Sequence, residues 1–125
     1  MLYLFSPRIL FKTGSFLPEI FQNFKKELSS STILKKLELK KNNYLVFSFH
    51  REENIDNLKN LTKIAETINY LAAKKKMRVM VSTHPRTRKK LKILTKFKFN
   101  KMVDFHKPFG FFDYINLQRN AYCTI

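Results

Sequence analysis

The run Tyr44-Leu45-Val46-Phe47-Ser48-Phe49 has apolar residues at nearly every position. A strand with one wet face alternates polar and apolar residues, so a continuous apolar run of this length suits a strand buried on both faces, as in a parallel sheet held between helix layers. Beyond it the period changes. From Asp56 to Lys74 the residues Leu58, Leu61, Ile64, Ala65, Ile68, Leu71 and Ala72 step by three and by one, which is the stripe of an amphipathic helix with Asp56 or Asn57 as its N-cap.

The same alternation continues on the C-terminal side. Met77 to Ser82 reads as a second strand, Pro85 opens a short basic helix around Arg86 to Leu94, and Met102 to Phe105 reads as a third strand. After the turn Pro108-Phe109-Gly110, a helix from Phe111 to Asn120 leads into a fourth strand at Ala121 to Ile125. The order β-α-β-α-β-α-β predicts an α/β fold with right-handed crossovers and a Rossmann-like parallel sheet.

On the N-terminal side, Ile9 to Lys12 reads as a strand ending at Thr13-Gly14. Pro18-Glu19-Ile20-Phe21-Gln22-Asn23-Phe24 starts a helix, and Thr32 to Leu39 forms another before the polar turn Lys40 to Asn43. These leading pieces have no evident sheet to join, and the fourth strand ends with one face expected to be bare. The pattern therefore reads as a fragment: a leading segment at residues 1–42 and the first half of a Rossmann-like domain at residues 43–125.

The chain has 125 residues, 44% of them hydrophobic and 13 of them Phe, which excludes a disordered basic tail and supports one small domain with a core. Cys123 is the single cysteine, so no intrachain disulfide is available, and no Cys/His spacing resembles a zinc site. Within its strand Cys123 is expected to be a buried, inert thiol. No apolar run approaches the ~18 residues of a membrane span, and the apolar start Met1 to Phe5 lacks the basic flank of a signal peptide. A cytoplasmic protein without a membrane partner is expected.

The net charge is +16, which raises the alternative of a small basic nucleic-acid-binding module. Only six of the 25 basic residues are Arg, and the lysines are spread through every helix and not gathered into one stripe. Nucleic acid is therefore not the expected partner.

Ligands of open parallel sheets bind outside the carboxyl ends of the strands, so the residues just after each strand carry the functional reading. The first strand runs into His50-Arg51-Glu52-Glu53-Asn54, the second into Thr83-His84-Pro85-Arg86-Thr87-Arg88, and the third into His106-Lys107-Pro108-Phe109-Gly110. An imidazole and a guanidinium beside a helix N-terminus can hold a diphosphate. Position alone leaves open whether His50 and Arg51 do this or are solvated loop residues. His84 and Arg86 hold the equivalent place after the second strand, and Arg88, Lys89 and Lys90 read as a solvated helix face. Phe112 and Tyr114 are candidates for walling in a planar base, whereas Phe109 and Phe111 read as packing and His106 as a satisfied structural histidine. The sequence has no Gly-rich phosphate loop, no nucleophile elbow and no metal-ligand cluster.

Four segments taken together resemble the non-hydrolysing UDP-N-acetylglucosamine 2-epimerases: Lys12-Thr13-Gly14-Ser15 with Pro18-Glu19; His50-Arg51-Glu52-Glu53-Asn54; Ser82-Thr83-His84-Pro85-Arg86-Thr87-Arg88; and Pro108-Phe109-Gly110-Phe111-Phe112-Asp113-Tyr114. The resemblance implies part of the C-terminal domain of a GT-B fold, preceded at residues 1–42 by the interdomain crossover. It implies interconversion of UDP-N-acetylglucosamine and UDP-N-acetylmannosamine by elimination and re-addition of UDP, with no metal or redox cofactor.

On the same basis His50 matches a catalytic histidine on the UDP diphosphate, and Tyr114 an aromatic near the uracil, with Arg51 and Phe112 beside them as substrate-binding residues. Arg51, Glu53 and His84 match positions that bind a second UDP-sugar as an allosteric activator. The partner implied is a UDP-N-acetylhexosamine, and the full-length family implies a homodimer. The family's catalytic carboxylates and an Asp-Ser-Gly segment are not among these 125 residues, so no turnover is expected of the chain alone. The wording of the third and fourth segments is similar to the branch acting on UDP-2-acetamido-2,6-dideoxy-L-talose, which serves capsule and lipopolysaccharide O-antigen synthesis.

Overall fold

A computed structural model describes residues 14–48, 57–92, 94 and 97–125. Three short helices lead, α1 (Leu17–Asn23), α2 (Lys25–Ser30) and α3 (Ile33–Lys36), followed by β1 (Tyr44–Ser48), α4 (Leu58–Lys75), β2 (Arg78–Ser82), α5 (Pro85–Leu91), β3 (Val103–His106), α6 (Phe111–Asn120) and β4 (Cys123–Thr124). The four strands form one parallel sheet in the order β3-β2-β1-β4. That order is the opening of the doubly wound dinucleotide-binding arrangement.

The apolar run does what its composition requires. Tyr44, Leu45, Val46 and Phe47 are all buried, and successive side chains enter opposite layers. Leu45 and Phe47 join Val79, Val81 and Val103 beneath Ile68 and Ala72 of α4. Tyr44 and Val46 join Met80 on the other face, covered by Ile33 and by Leu117 of α6. Burial pushes the Tyr44 hydroxyl up to about 12, and that hydroxyl donates to the Leu117 carbonyl at 2.6 Å.

The helix boundaries follow their capping chemistry. Asn57 is the N-cap of α4, its Oδ1 accepting from the Lys59 amide at 2.9 Å, and Lys76 ends that helix in the left-handed region at φ 52°. Pro85 occupies the first turn of α5, where its missing N–H costs nothing. Arg78 ties the sheet's edge together: its guanidinium meets Asp104 Oδ2 of β3 through Nε and Nη2, each at 2.8 Å, and donates from Nη1 to the Leu37 carbonyl at 2.6 Å.

The leading helices have a place after all. Asn116 of α6 donates through Nδ2 to the Leu28 carbonyl at 2.8 Å, and the Ser31 hydroxyl donates to Asp113 Oδ1 at 2.6 Å. With Leu28 and Ile33 buried, α2 and α3 dock on α6 and complete the second layer. The expected strand at Ile9 to Lys12 lies outside the described residues.

Two packing expectations are corrected. Cys123 is exposed, because β4 is an edge strand of two residues that pairs only with Leu45 and Val46 of β1. Phe111 is 48% exposed at the first position of α6, its ring edge-on to Phe112, so it does not serve the core.

Candidate functional site

At the carboxyl edge of the sheet the strand composition turns from apolar to hydroxylated. Ser48, Ser82 and His106 lie in register there, and Ser82 and Thr83 are buried. Thr83 donates twice to the His106 carbonyl, from its amide and from Oγ1, each at 3.0 Å. This joins the ends of β2 and β3 and fixes the direction in which the chain leaves each strand.

His84 then turns outward as the N-cap of α5, its exposed ring accepting a long 3.5 Å bond from the Arg86 amide at Nδ1. Arg86 is exposed beside it. Arg88 departs from the solvated face expected of it: Nη2 donates to the Phe105 carbonyl at 3.2 Å, so it fastens α5 to β3.

His106 is also corrected. Its Nε2 is buried and, among the described residues, has no hydrogen-bond partner, while its ring lies 5.2 Å from that of Phe109. The sequence carries no sign of that unpartnered nitrogen. Burial pulls the His106 pKa below the usual histidine value; Asp104 opposes the shift, and Arg78 and Arg88 add to it. In the unfolded chain the ring titrates near 6.5. As pH falls through that value the unfolded state takes up a proton that the folded state does not, so stability is full above it and declines below it. The urea midpoint is expected to fall further between about pH 7.5 and about pH 5.5 in the native chain than in His106→Gln. Equal declines would remove His106 as the cause.

The aromatic candidates sit on α6. Phe112 is half-buried, 5.6 Å from the ring of Phe24, and Tyr114 packs against the layer containing Tyr44 and Leu117. Gly110 precedes them in ordinary extended geometry (φ −61°), with open space where a Cβ would stand, so the turn does not depend on a glycine there.

His50, Arg51 and Glu53 lie outside the described residues. What the fold supplies is the strand end that precedes them in the chain. The chain leaves β1 at Ser48, and β1 stands between β2 on one side and β4 on the other. Successive strands β1, β2 and β3 add in one direction while β4 adds in the other, so the crevice of an open sheet lies at the carboxyl ends of β1 and β4. His84, after β2, is one strand away from that point.

Sequence reasoning missed a cavity of about 300 Å³ lined by Thr83, Pro85, Arg88, Lys89, Lys92, Lys107 and Pro108. Its signal was the spacing Pro85, Arg88, Lys89, Lys92, which is one face of a helix. Among the described residues no group of His, Cys, Asp and Glu could hold a metal ion, and no helix is long and apolar enough to cross a membrane.

Comparison with known proteins gives a consistent result. A sequence profile described as UDP-N-acetylglucosamine 2-epimerase matches residues 5–125. A UDP-N-acetylglucosamine 2-epimerase of Methanococcus maripaludis is 32% identical over 85 residues, which is 66% of this chain and 23% of the relative. The solved structure of the Rickettsia bellii UDP-N-acetylglucosamine 2-epimerase superposes with a TM-score of 0.73 at 32% identity, covering 95% of this chain and 31% of that one. The Methanocaldococcus jannaschii UDP-GlcNAc 2-epimerase, solved in complex with UDP-GlcNAc and UDP, superposes with a TM-score of 0.78 at 25% identity over 96% of this chain and 34% of that one. The chain thus spans about a quarter of the length of the curated relatives it matches and about a third of the solved ones.

Proposed function

The chain belongs to the UDP-N-acetylglucosamine 2-epimerase family, and from that membership we propose that it forms the diphosphate-facing part of an enzyme interconverting UDP-N-acetylglucosamine and UDP-N-acetylmannosamine for surface polysaccharide synthesis. The observation that supports the reading is the strand order β3-β2-β1-β4, because it puts the carboxyl end of β1, which precedes His50 and Arg51 in the chain, at the switch point of the sheet. A relative that this chain superposes on is solved in complex with UDP-GlcNAc and UDP, which supports a nucleotide-sugar ligand. The 6-deoxy substrate UDP-2-acetamido-2,6-dideoxy-L-talose is the second reading, favoured by the wording of Thr83 to Arg88 and Phe109 to Tyr114.

In the proposed reaction a carboxylate of the family that is not among these 125 residues takes the C2 proton, the C2–H electron pair becomes the C1=C2 double bond of a 2-acetamidoglucal, and UDP leaves C1 with the C1–O pair. UDP then adds back at C1 as a proton returns to C2 from the opposite face. This chain's part is on the leaving group. His50 and Arg51 meet the diphosphate as negative charge develops on it, and fixed donors aimed at developing charge are among the strongest devices a site can use. Tyr114 and Phe112 wall the uracil, and Glu53 and His84 with Arg51 hold a second, activating UDP-sugar. A cytoplasmic homodimer is the proposed setting.

Calorimetric titration of the chain with UDP and with uridine tests the assignment. UDP is expected to bind about tenfold or more tightly than uridine, and the pair His50→Ala and Arg51→Ala to remove that advantage. Equal affinity for UDP and uridine, or an unchanged advantage in the double variant, would overturn it.

A further inference from the structure

The cavity beside α5 lies on the other side of β2 from the β1/β4 crevice, and the proposed nucleotide chemistry makes no use of it. It opens at the carboxyl ends of β2 and β3, where parallel sheets take ligands. Its volume of about 300 Å³ is that of a small ligand, and its wall is mostly carbon, with Pro85 and Pro108 among the lining residues. The polar groups around it are of one sign. Arg88 and Lys89 come from α5, Lys92 is the residue that caps its C-terminus, and Lys107 belongs to the segment after β3. The three lysines are at or near the surface, Lys89, Lys92 and Lys107 each being exposed, and no carboxylate is among the lining residues.

This arrangement is not that of a solvated helix face. Four cations around one concavity repel one another, and an anion seated among them relieves the repulsion. The nearby carboxylate of Asp104 does not fill that role, because it is bonded to Arg78. Arg88 is held in place by the Phe105 carbonyl, so at least one donor is preorganised and not free to follow the ligand. A bare inorganic anion would leave the carbon wall unused. A ligand with a flat apolar body and a phosphate uses both parts, the body against the prolines and the phosphate at the lysines.

We propose that the cavity lined by Thr83, Pro85, Arg88, Lys92, Lys107 and Pro108 is a second binding site, one that takes a small organic phosphate. It is separate from the nucleotide-diphosphate crevice and stands or falls independently of it.

Phenyl phosphate is the probe, because it carries the flat body and the phosphate without a nucleoside. Titration of the whole chain at low salt, followed by amide chemical shifts, is expected to move resonances of α5 and of Lys107. Phenol and inorganic phosphate are each expected to bind about tenfold or more weakly than phenyl phosphate, since each lacks half of the match. The double substitution Lys92→Glu and Lys107→Glu, at exposed positions that leave the core intact, is expected to weaken phenyl phosphate about tenfold or more. Lys41→Glu, a single charge reversal at an exposed turn away from the cavity, is expected to leave it within about twofold. Absence of shifts on α5, equal binding of inorganic phosphate, or unchanged affinity in the double variant would each overturn the proposal.

Discussion

Tyr44→Ala is expected to lower the stability of the chain by about 3–5 kcal/mol, the range for removing a fully buried aromatic from a packed core. The side chain is 0% exposed and lies where β1, α3 and α6 meet, with Ile33, Val46, Met80 and Leu117 around it. Its loss removes more than ring contacts. The Leu117 carbonyl loses the donor it holds at 2.6 Å, and a buried acceptor without a partner adds to the cost of the void. Tyr44→Phe separates the two contributions, keeping the ring and deleting the hydroxyl, and is expected to cost about 1–2 kcal/mol. Urea unfolding at neutral pH reads both. A loss below about 1 kcal/mol in Tyr44→Ala would mean that the layer formed by α2, α3 and α6 is not bound to the sheet through this residue.

Ile68→Ala carries the second large effect, about 2–5 kcal/mol, on the opposite layer. Ile68 is 0% exposed on the inner stripe of α4 and packs with Leu45, Phe47, Val79 and Val81. The strand cannot move toward the helix to fill the space, because its other face is engaged with Tyr44 and Val46 in the second layer. Combined with Tyr44→Phe, the loss is expected to add within about 0.5 kcal/mol, since the sheet separates the two sites and they share no partner. Strong non-additivity in the urea midpoints would show that the layers form one cooperative unit and not two stacked ones.

The parts of the fold that sequence revealed are those with a local signature. The burial of Tyr44 to Phe47 was legible because both faces of the run are apolar, and α4 because its stripe is long and ends at an N-cap and a basic last turn. What escaped depends on sheet order, which spacing does not encode. Cys123 reads as buried from its place within a strand, and spacing does not reveal that, among the described residues, β4 pairs with β1 alone. Arg88 was read as solvated because nothing in Arg86 to Lys90 signals a carbonyl of β3 within reach. The docking of α2 and α3 on α6 combines the burial of Leu28 and Ile33 with hydrogen bonds between residues more than eighty positions apart, such as Ser31 to Asp113.

The site was legible in a different sense. His84, Phe112 and Tyr114 are picked out by their place after strands; His84 caps the helix after β2, whereas Phe112 packs on Phe24 and Tyr114 on the layer of Tyr44 and Leu117, and His50, Arg51 and Glu53 lie outside the described residues. The cavity beside α5 was overlooked because its lysines were counted one by one as solvated charge. Their common helix face mattered more than their number.

The two strands bordering the crevice differ in how easily they open. β1 is flanked on both edges and covered on both faces, so its amides exchange only when the whole sheet comes apart. β4 is held by a short ladder, with Tyr122 and Ile125 donating to Tyr44 and Val46 and with both its own residues exposed, and it frays at far lower cost. A ligand seated between them is gripped by one wall that is already rigid and one that it must order. Part of the intrinsic affinity of the crevice is therefore converted into local folding of β4, and whatever steadies that strand strengthens binding without touching the ligand.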